Sequence, residues 1–235
     1  MSALNSSVPE DTRPVPPQPE SMWPARLTIL SIAGLTLLLG DHLTLGPHWV
    51  FPLLEVLLLV PLAALRGRER HRLIHVGHQD MEWSQGLQWL TLGMLLLLQL
   101  SNLISLMLLI TGLVNGHNEN GVNLITGALI VWVTNVLVFS LWYWEVDQGG
   151  PLRRTQAGRR LDFMFPQQEN PKLAERNWRP EYVDYLFIAF TNAAAFSPTD
   201  TLPLTRRAKA LMTVQAATSM LTVVVVASRA VNILK

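Results

Sequence analysis

The chain has no cysteine among its 235 residues, which removes disulfides and thiolate metal sites together and is compatible with either side of a membrane. Charge is scarce as well. Charged residues make up 15% and hydrophobic residues 49%, whereas about a quarter of an ordinary soluble domain is charged. The scarcity is uneven: no Asp, Glu, Lys or Arg occurs in residues 83–118, 120–144 or 210–228. Each of those runs reaches the roughly 20 residues that a transmembrane helix requires. No nucleic-acid signature, cofactor motif or repeat of fixed period is present, so neither nucleic acid nor a cofactor is expected as a partner.

The opening segment, 1–22, is polar and proline-rich, lacks the apolar core of a signal peptide and reads as a disordered tail. The next apolar text divides at the turn-forming "LGPH" into a first helix over 23–43 and a second over 48–65. A third helix is expected over 86–114, and after the polar "NGHNENG" a fourth over 122–144, ending in the interfacial aromatics Trp142, Tyr143 and Trp144. Residues 23–147 therefore read as a four-helix transmembrane region, and 148–180 as a cytoplasmic or interfacial connection rich in Arg and Pro. Its Phe163, Phe165 and Trp178 are expected in the headgroup region. The last helix is expected over 205–234.

Between connection and last helix lies "EYVDYLFIAFTNAAAF", residues 181–196, too short to cross a bilayer and too apolar for an ordinary loop. Its path follows from the placement of positive charge. The connections near 40–47 and 115–121 share one face and hold no Lys or Arg. The other face collects Arg13 and Arg26, then Arg66, Arg68, Arg70 and Arg72, then Arg153, Arg154, Arg159, Arg160, Lys172, Arg176 and Arg179. If 181–196 crossed, Arg206, Arg207 and Lys209 would land on the face without positive charge; if it dips in and returns, they join the basic one. The fold class expected is all-α transmembrane, with about five spanning helices and a short re-entrant helix before the last. Its N-terminus is cytoplasmic and its C-terminus external.

Pro180 suits the first turn of the re-entrant helix, and Pro198 forces an extended exit. Non-helical backbone at membrane depth is tolerated only where protein or a water-filled cavity surrounds it. From Asp184 to Leu234, "DYLFIAFTNAAAFSPTDTLPLTRRAKALMTVQAATSMLTVVVVASRAVNIL" resembles the pore module of tetrameric cation channels: pore helix, filter turn, connection and pore-lining helix. The resemblance covers about the last fifty residues. It puts Thr191 and Asn192 in the pore helix, aligns Phe196, Ser197, Pro198 and Thr199 with the Val-Gly-Tyr-Gly filter of potassium channels, and matches Asp200 to the aspartate that follows. Both filter glycines are missing, and with them the φ > 0 conformations that aim successive carbonyls at the ion, so a potassium-type filter is not expected. A loop entering from the cytoplasm is inverted relative to potassium channels and resembles the orientation in ionotropic glutamate receptors. The whole chain also resembles an uncharacterised family of bacterial multipass proteins with the same C-terminal segment, which implies residence in the bacterial cytoplasmic (inner) membrane.

Gln215, Thr218, Ser219 and Thr222 recur at i, i+3, i+4 and i+7 and form one polar stripe on the last helix. The stripe either lines an aqueous cavity or glues helices together, as small polar residues commonly do in membranes. Gln99, Asn102 and Ser105 share a face of the third helix, and with Asn135 they read as interhelical hydrogen-bonding groups.

Glu55 is a carboxylate well inside an apolar helix, a position that costs several kcal/mol unless it is paired, protonated or wet. Its depth, roughly 10 Å from the external end, matches that of Arg229 at roughly 9 Å, which allows a Glu55–Arg229 pair, read as a static clamp between the second and last helices or as a part of ion or proton movement, with snorkelling of Arg229 or its pairing with Asp41 as alternatives. His71, His75 and His78, near Asp80 and Glu82, lack a zinc-peptidase pattern and read as a solvated basic juxtamembrane segment, with no metal expected.

These readings point to a non-enzymatic, pore-loop cation-channel-like protein. Its partners are membrane lipid, inorganic cations and further copies of itself, a tetramer being favoured because one pore loop needs symmetry mates. The alternatives are a non-conducting structural or regulatory membrane protein and, further off, a secondary transporter or membrane enzyme.

Overall fold

A computed structural model describes residues 20–40, 43–76, 85–114, 121–154, 158–170, 172, 174–175, 178–195 and 200–233, excluding the side chains of 74–76, 121 and 229–233. The described chain is all-α apart from one short strand pair. Helices α1 (Trp23–Leu37), α2 (Val50–Val76), α3 (Gln85–Val114) and α4 (Gly121–Val146) come first. Strand β1 (Phe163–Met164), the single-turn α5 (Pro166–Glu169), α6 (Tyr182–Ala195), strand β2 (Leu202–Pro203) and α7 (Arg206–Ile233) follow. Four helices are long and apolar enough to cross a membrane, over Val50–Leu73, Gln85–Val114, Val122–Gly149 and Arg206–Ser228. They embed the protein in a bilayer. Their outward faces bear it out: Leu57, Val60, Leu96, Leu100 and Leu129 are all exposed apolar side chains, which water would penalise and lipid tails would not.

The first helix is shorter than its apolar text suggests. Expected to reach residue 43, α1 stops at Leu37 after 15 residues, about 22 Å. The chain then tightens, with the amides of Leu38 and Leu39 bonding back to the carbonyls of Leu35 and Thr36 before Gly40. Conversely α2 continues past its apolar part to Val76, because Arg, Leu and Glu are good helix formers outside the membrane as well as in it.

Helix α4 is the hub. It packs against α6 and α7 on one side and α1 and α3 on the other, while α2 closes the bundle against α1 and α3. One core cluster runs from Ile29 and Leu98 through Phe139 and Tyr143 to Phe163, Tyr185 and Ala189. A second, at the opposite end, joins Leu39, Leu43, Leu106, Leu109, Leu124 and Val225.

The ends of the elements fix the path of α6. Its first amide, that of Tyr182, donates to Glu20, which also receives the indole N–H of Trp144 at the end of α4. The start of α7 is fastened to the same end of the bundle, since Arg207 bonds to Asp162 beside β1 and β1 pairs antiparallel with β2. Helices α6 and α7 therefore start together and run parallel. The carbonyl of Ala193 meets Ser219, which lies 13 residues, about 20 Å, along α7. Helix α6 thus goes half-way in, and the chain is back at its starting end by Leu202.

Two expectations about the polar segments are corrected. The tail was read as disordered over 1–22, yet Met22 is buried and Glu20 is docked under α4 and α6; residues 1–19 lie outside the described ones. Phe163 and Phe165 do not lie among headgroups. They turn inward as 0% and 4% exposed side chains, Phe163 tilted against Tyr143 and edge-on to Tyr185, Phe165 edge-on to Tyr185 and Trp178.

Candidate functional site

Residues of α4, α6 and α7 close on one another through polar side chains. Gln215, fully buried, donates its amide to the carbonyl of Ala189 at 2.7 Å. Its oxygen accepts from Asn192 at 2.8 Å and from the Tyr143 hydroxyl at 2.5 Å. Asn192 also donates to the carbonyl of Met212 at 3.0 Å. One helical turn further in, Ser219 donates to the carbonyl of Ala193 at 2.7 Å and accepts from the Trp132 indole at 2.8 Å. Asn135 reaches the carbonyl of Gln215 with its amide. Thr218 and Thr222 are buried too, but return their hydroxyls to their own helix at Val214 and Thr218.

Of the two roles open to the stripe, helix packing is the one seen: Gln215 and Ser219 turn inward and fasten α7 to α6 and α4, while Thr218 and Thr222 bond only their own helix. Buried polar groups need partners, and here Gln215 and Asn192 bond each other while Gln215 and Ser219 each reach a carbonyl of α6. The outward face of α7 is left to Val214, Met220, Leu221, Val223 and Val224.

Thr191 bonds the carbonyls of Phe187 and Ile188 within α6, so of the two pore-helix residues only Asn192 bridges helices. Phe196, Ser197, Pro198 and Thr199 lie outside the described residues. Asp200 is described and exposed, two residues from β2 and thus at the mouth of the excursion, while Thr201 beside it is buried.

A polar collar that the sequence reading missed holds this unit at the basic end. Asp147, fully buried, accepts from the amides of Asp162 and Phe163 and from the Tyr185 hydroxyl at 2.6 Å. Asp162, buried likewise, accepts from Thr205 and from both Arg207 nitrogens at 2.5–2.6 Å, and its backbone carbonyl takes the Leu204 amide. Burial pushes the Asp162 carboxyl up, but the bonds from Arg207 and Thr205 pull harder and hold it below its ordinary value of 3.8. The turn that lets Asp147 face inward is Gln148-Gly149-Gly150, all at positive φ. A Cβ on Gly150 would stand 3.2–3.3 Å from oxygens of Glu145, so glycine is required there twice over.

Arg154 completes the collar. It bonds Glu20, the carbonyls of Pro180 and Trp144, and lies 4.7 Å from the centre of the Tyr185 ring. Burial raises the Glu20 carboxyl above its ordinary value against the opposing pull of Arg154, Trp144 and the Tyr182 amide. Nearby, Arg66 pairs with Glu145 across α2 and α4 and donates to Thr91 of α3.

Glu55 sits apart from all of this. It is fully buried in α2, and neither carboxyl oxygen has a hydrogen-bond partner. The Arg229 side chain and Asp41 lie outside the described residues, and the Glu55–Arg229 pair with them. Among the polar residues of α3, Asn102 leaves its amide nitrogen unpartnered and Gln99 both side-chain polar atoms. The bonding expected of those two side chains is thus not seen there. Of the histidine segment, His78, Asp80, Glu82 and the His75 side chain lie outside the described residues. Among the described residues no three His, Cys, Asp or Glu side chains gather as metal ligands.

Fold and site define a helical integral membrane protein built around a half-length helix. Comparison with protein-family models, curated proteins and solved structures finds no match.

Proposed function

We propose that the chain is the subunit of a cation-permeable, pore-loop-type membrane assembly without enzymatic activity, a homo-oligomer of which a tetramer is the favoured form. The observation that carries the reading is α6, which starts beside α7, runs parallel to it to mid-length and hands the chain to an exposed Asp200 at the entry side. A half-length helix and return have little use in a self-contained bundle; repeated about an axis, they surround a path. In that assembly the segment 196–199, which lacks the glycines of a potassium-type filter, is assigned to the constriction. A ring of Asp200 carboxylates favours cations at the mouth, and the apolar outward face of α7 forms a wall that conducts only when wetted. The concentration of Arg at the end shared by α2, α4, α6 and α7 supports a cytoplasmic location for that end, with the N-terminus on the same side and the C-terminus external. The bilayer is then the cytoplasmic membrane of a bacterium.

One observation favours a second reading, a non-conducting structural or regulatory role: the polar stripe is spent within the chain on α6 and α4, so a polar wall on α7 does not supply a path. Flux measurements separate the two. Protein of known oligomeric mass in liposomes is expected to pass monovalent cations, with Asp200→Asn lowering the preference for cations over anions. An intact oligomer that passes no ion, or a monomer, leaves the second reading standing.

A further inference from the structure

Among the described residues, α2 holds a buried acid for which no partner is seen. Glu55 lines a small enclosed cavity together with Thr36 of α1, Ser101, Asn102 and Ser105 of α3, and Thr134 of α4. Among the described residues no other charged side chain lines it. The cavity has room for about one water-sized particle. Its acid is 0% exposed, and neither carboxyl oxygen has a hydrogen-bond partner, although hydroxyls and an amide line the same space.

Two physical requirements meet there. A bare carboxylate in a low-dielectric interior must be neutralised. A neutral carboxyl would still need an acceptor for its O–H and a donor for its carbonyl, and no group around it is bonded as either. A particle that sits between carboxyl and hydroxyls and carries one positive charge meets both requirements. A divalent ion would leave a net positive charge in the membrane. Hard oxygen donors suit alkali and alkaline-earth cations rather than zinc or copper, and the size of the space suits a small alkali cation.

We propose that Glu55, with Ser101, Asn102, Ser105 and Thr134, forms an intramembrane binding site for one small monovalent cation, sodium in the first instance. The site lies about 7.5 Å into α2 from Val50, at the end of the bundle opposite the Arg-rich collar. It stands whether or not α6 surrounds a pore.

The test uses the full chain in detergent micelles at one fixed pH and ionic strength, in sodium or in choline chloride. A hydrophobic carbodiimide, which adds to a buried carboxyl to give a stable N-acylurea, is followed at Glu55 by peptide mass. Thermal unfolding is measured alongside. Sodium is expected to slow labelling of Glu55 several-fold and to raise Tm by a few degrees, and Glu55→Gln is expected to abolish the Tm shift. Ser105→Ala, which keeps the carboxyl and the fold, should move the sodium midpoint upward. Equal labelling and equal Tm in the two salts overturn the proposal and leave a carboxyl that exchanges only its own proton. A sodium shift that survives Glu55→Gln overturns it by placing the site elsewhere. Labelling that appears only after Arg229→Gln overturns it in favour of an ion pair.

Discussion

The two halves of the membrane bundle treat buried polarity in opposite ways. Where α6 and α7 meet α4, Gln215, Asn192, Ser219 and Tyr143 spend their side-chain polar atoms on one another or on neighbouring carbonyls. Where α2 meets α3, Glu55, Gln99 and Asn102 keep five buried atoms with no partner, against the Asn135 oxygen beside Gln215 in the first half. Hydrogen bonds between membrane helices act as glue, and orphaned ionisable groups at membrane depth act as functional sites. One half is therefore fastened and the other is open to a ligand.

The fastened half should break hardest. Gln215→Ala removes three interhelical bonds at once, strands Asn192 and Tyr143, and opens a hole at full burial. The expected loss is about 3 kcal/mol, read as unfolding in mixed detergent micelles. Proteolysis should then reach α6 before the long helices. If Gln215→Ala unfolds like the native chain, the network is not what holds α6.

The collar ranks next. Asp162→Asn loses a charge-assisted, two-pronged contact to Arg207 and is expected to cost about 2 kcal/mol, less than the Gln215 change because Arg207 is 58% exposed and regains water. The sign with pH follows from a carboxyl held below 3.8. Its stabilisation is complete above that ordinary value and is lost as pH falls through the lowered one. Below about pH 4 the native chain should therefore weaken, while Asp162→Asn should lack this component. A variant with the native acid profile would assign the acid transition to other carboxyls.

How much of this was legible beforehand depends on periodicity. The apolar runs around α3, α4 and α7 have no charge in them, so length alone identified them as spans. The short run ending in Ala195 could be placed because Arg206, Arg207 and Lys209 had to end on the basic side, and Arg207 does lie beside Asp162 there. The polar stripe was visible as a stripe, but a stripe does not say which neighbour it faces. Gln215 and Ser219 found α6, and only tertiary packing decides that. Asp147 and Asp162 carried no signal, because single acids in an Arg-rich connection look like solvated charge; the Gln148-Gly149-Gly150 turn was the one local hint that the chain doubles back beneath α4. Phe163 and Phe165 were misplaced for a related reason: aromatics outside a span suit an interface on composition alone, and the Tyr143 and Tyr185 rings they pack on come together only once α6 is in position.

The smallest expected effect sharpens the comparison most. Glu55→Gln alters one oxygen of a side chain that makes no hydrogen bond, and it removes the need to neutralise a charge at membrane depth. In choline, with no small cation to bind, the change is expected to be neutral or stabilising by up to about 1 kcal/mol, whereas truncating Gln215 is expected to destabilise. In sodium the native chain gains the free energy of the bound ion and the variant does not, so the ranking of the two should invert with the salt. A Glu55→Gln chain that is strongly destabilised in both salts would show that the acid is a structural clamp, and the contrast between the fastened and the open half would disappear.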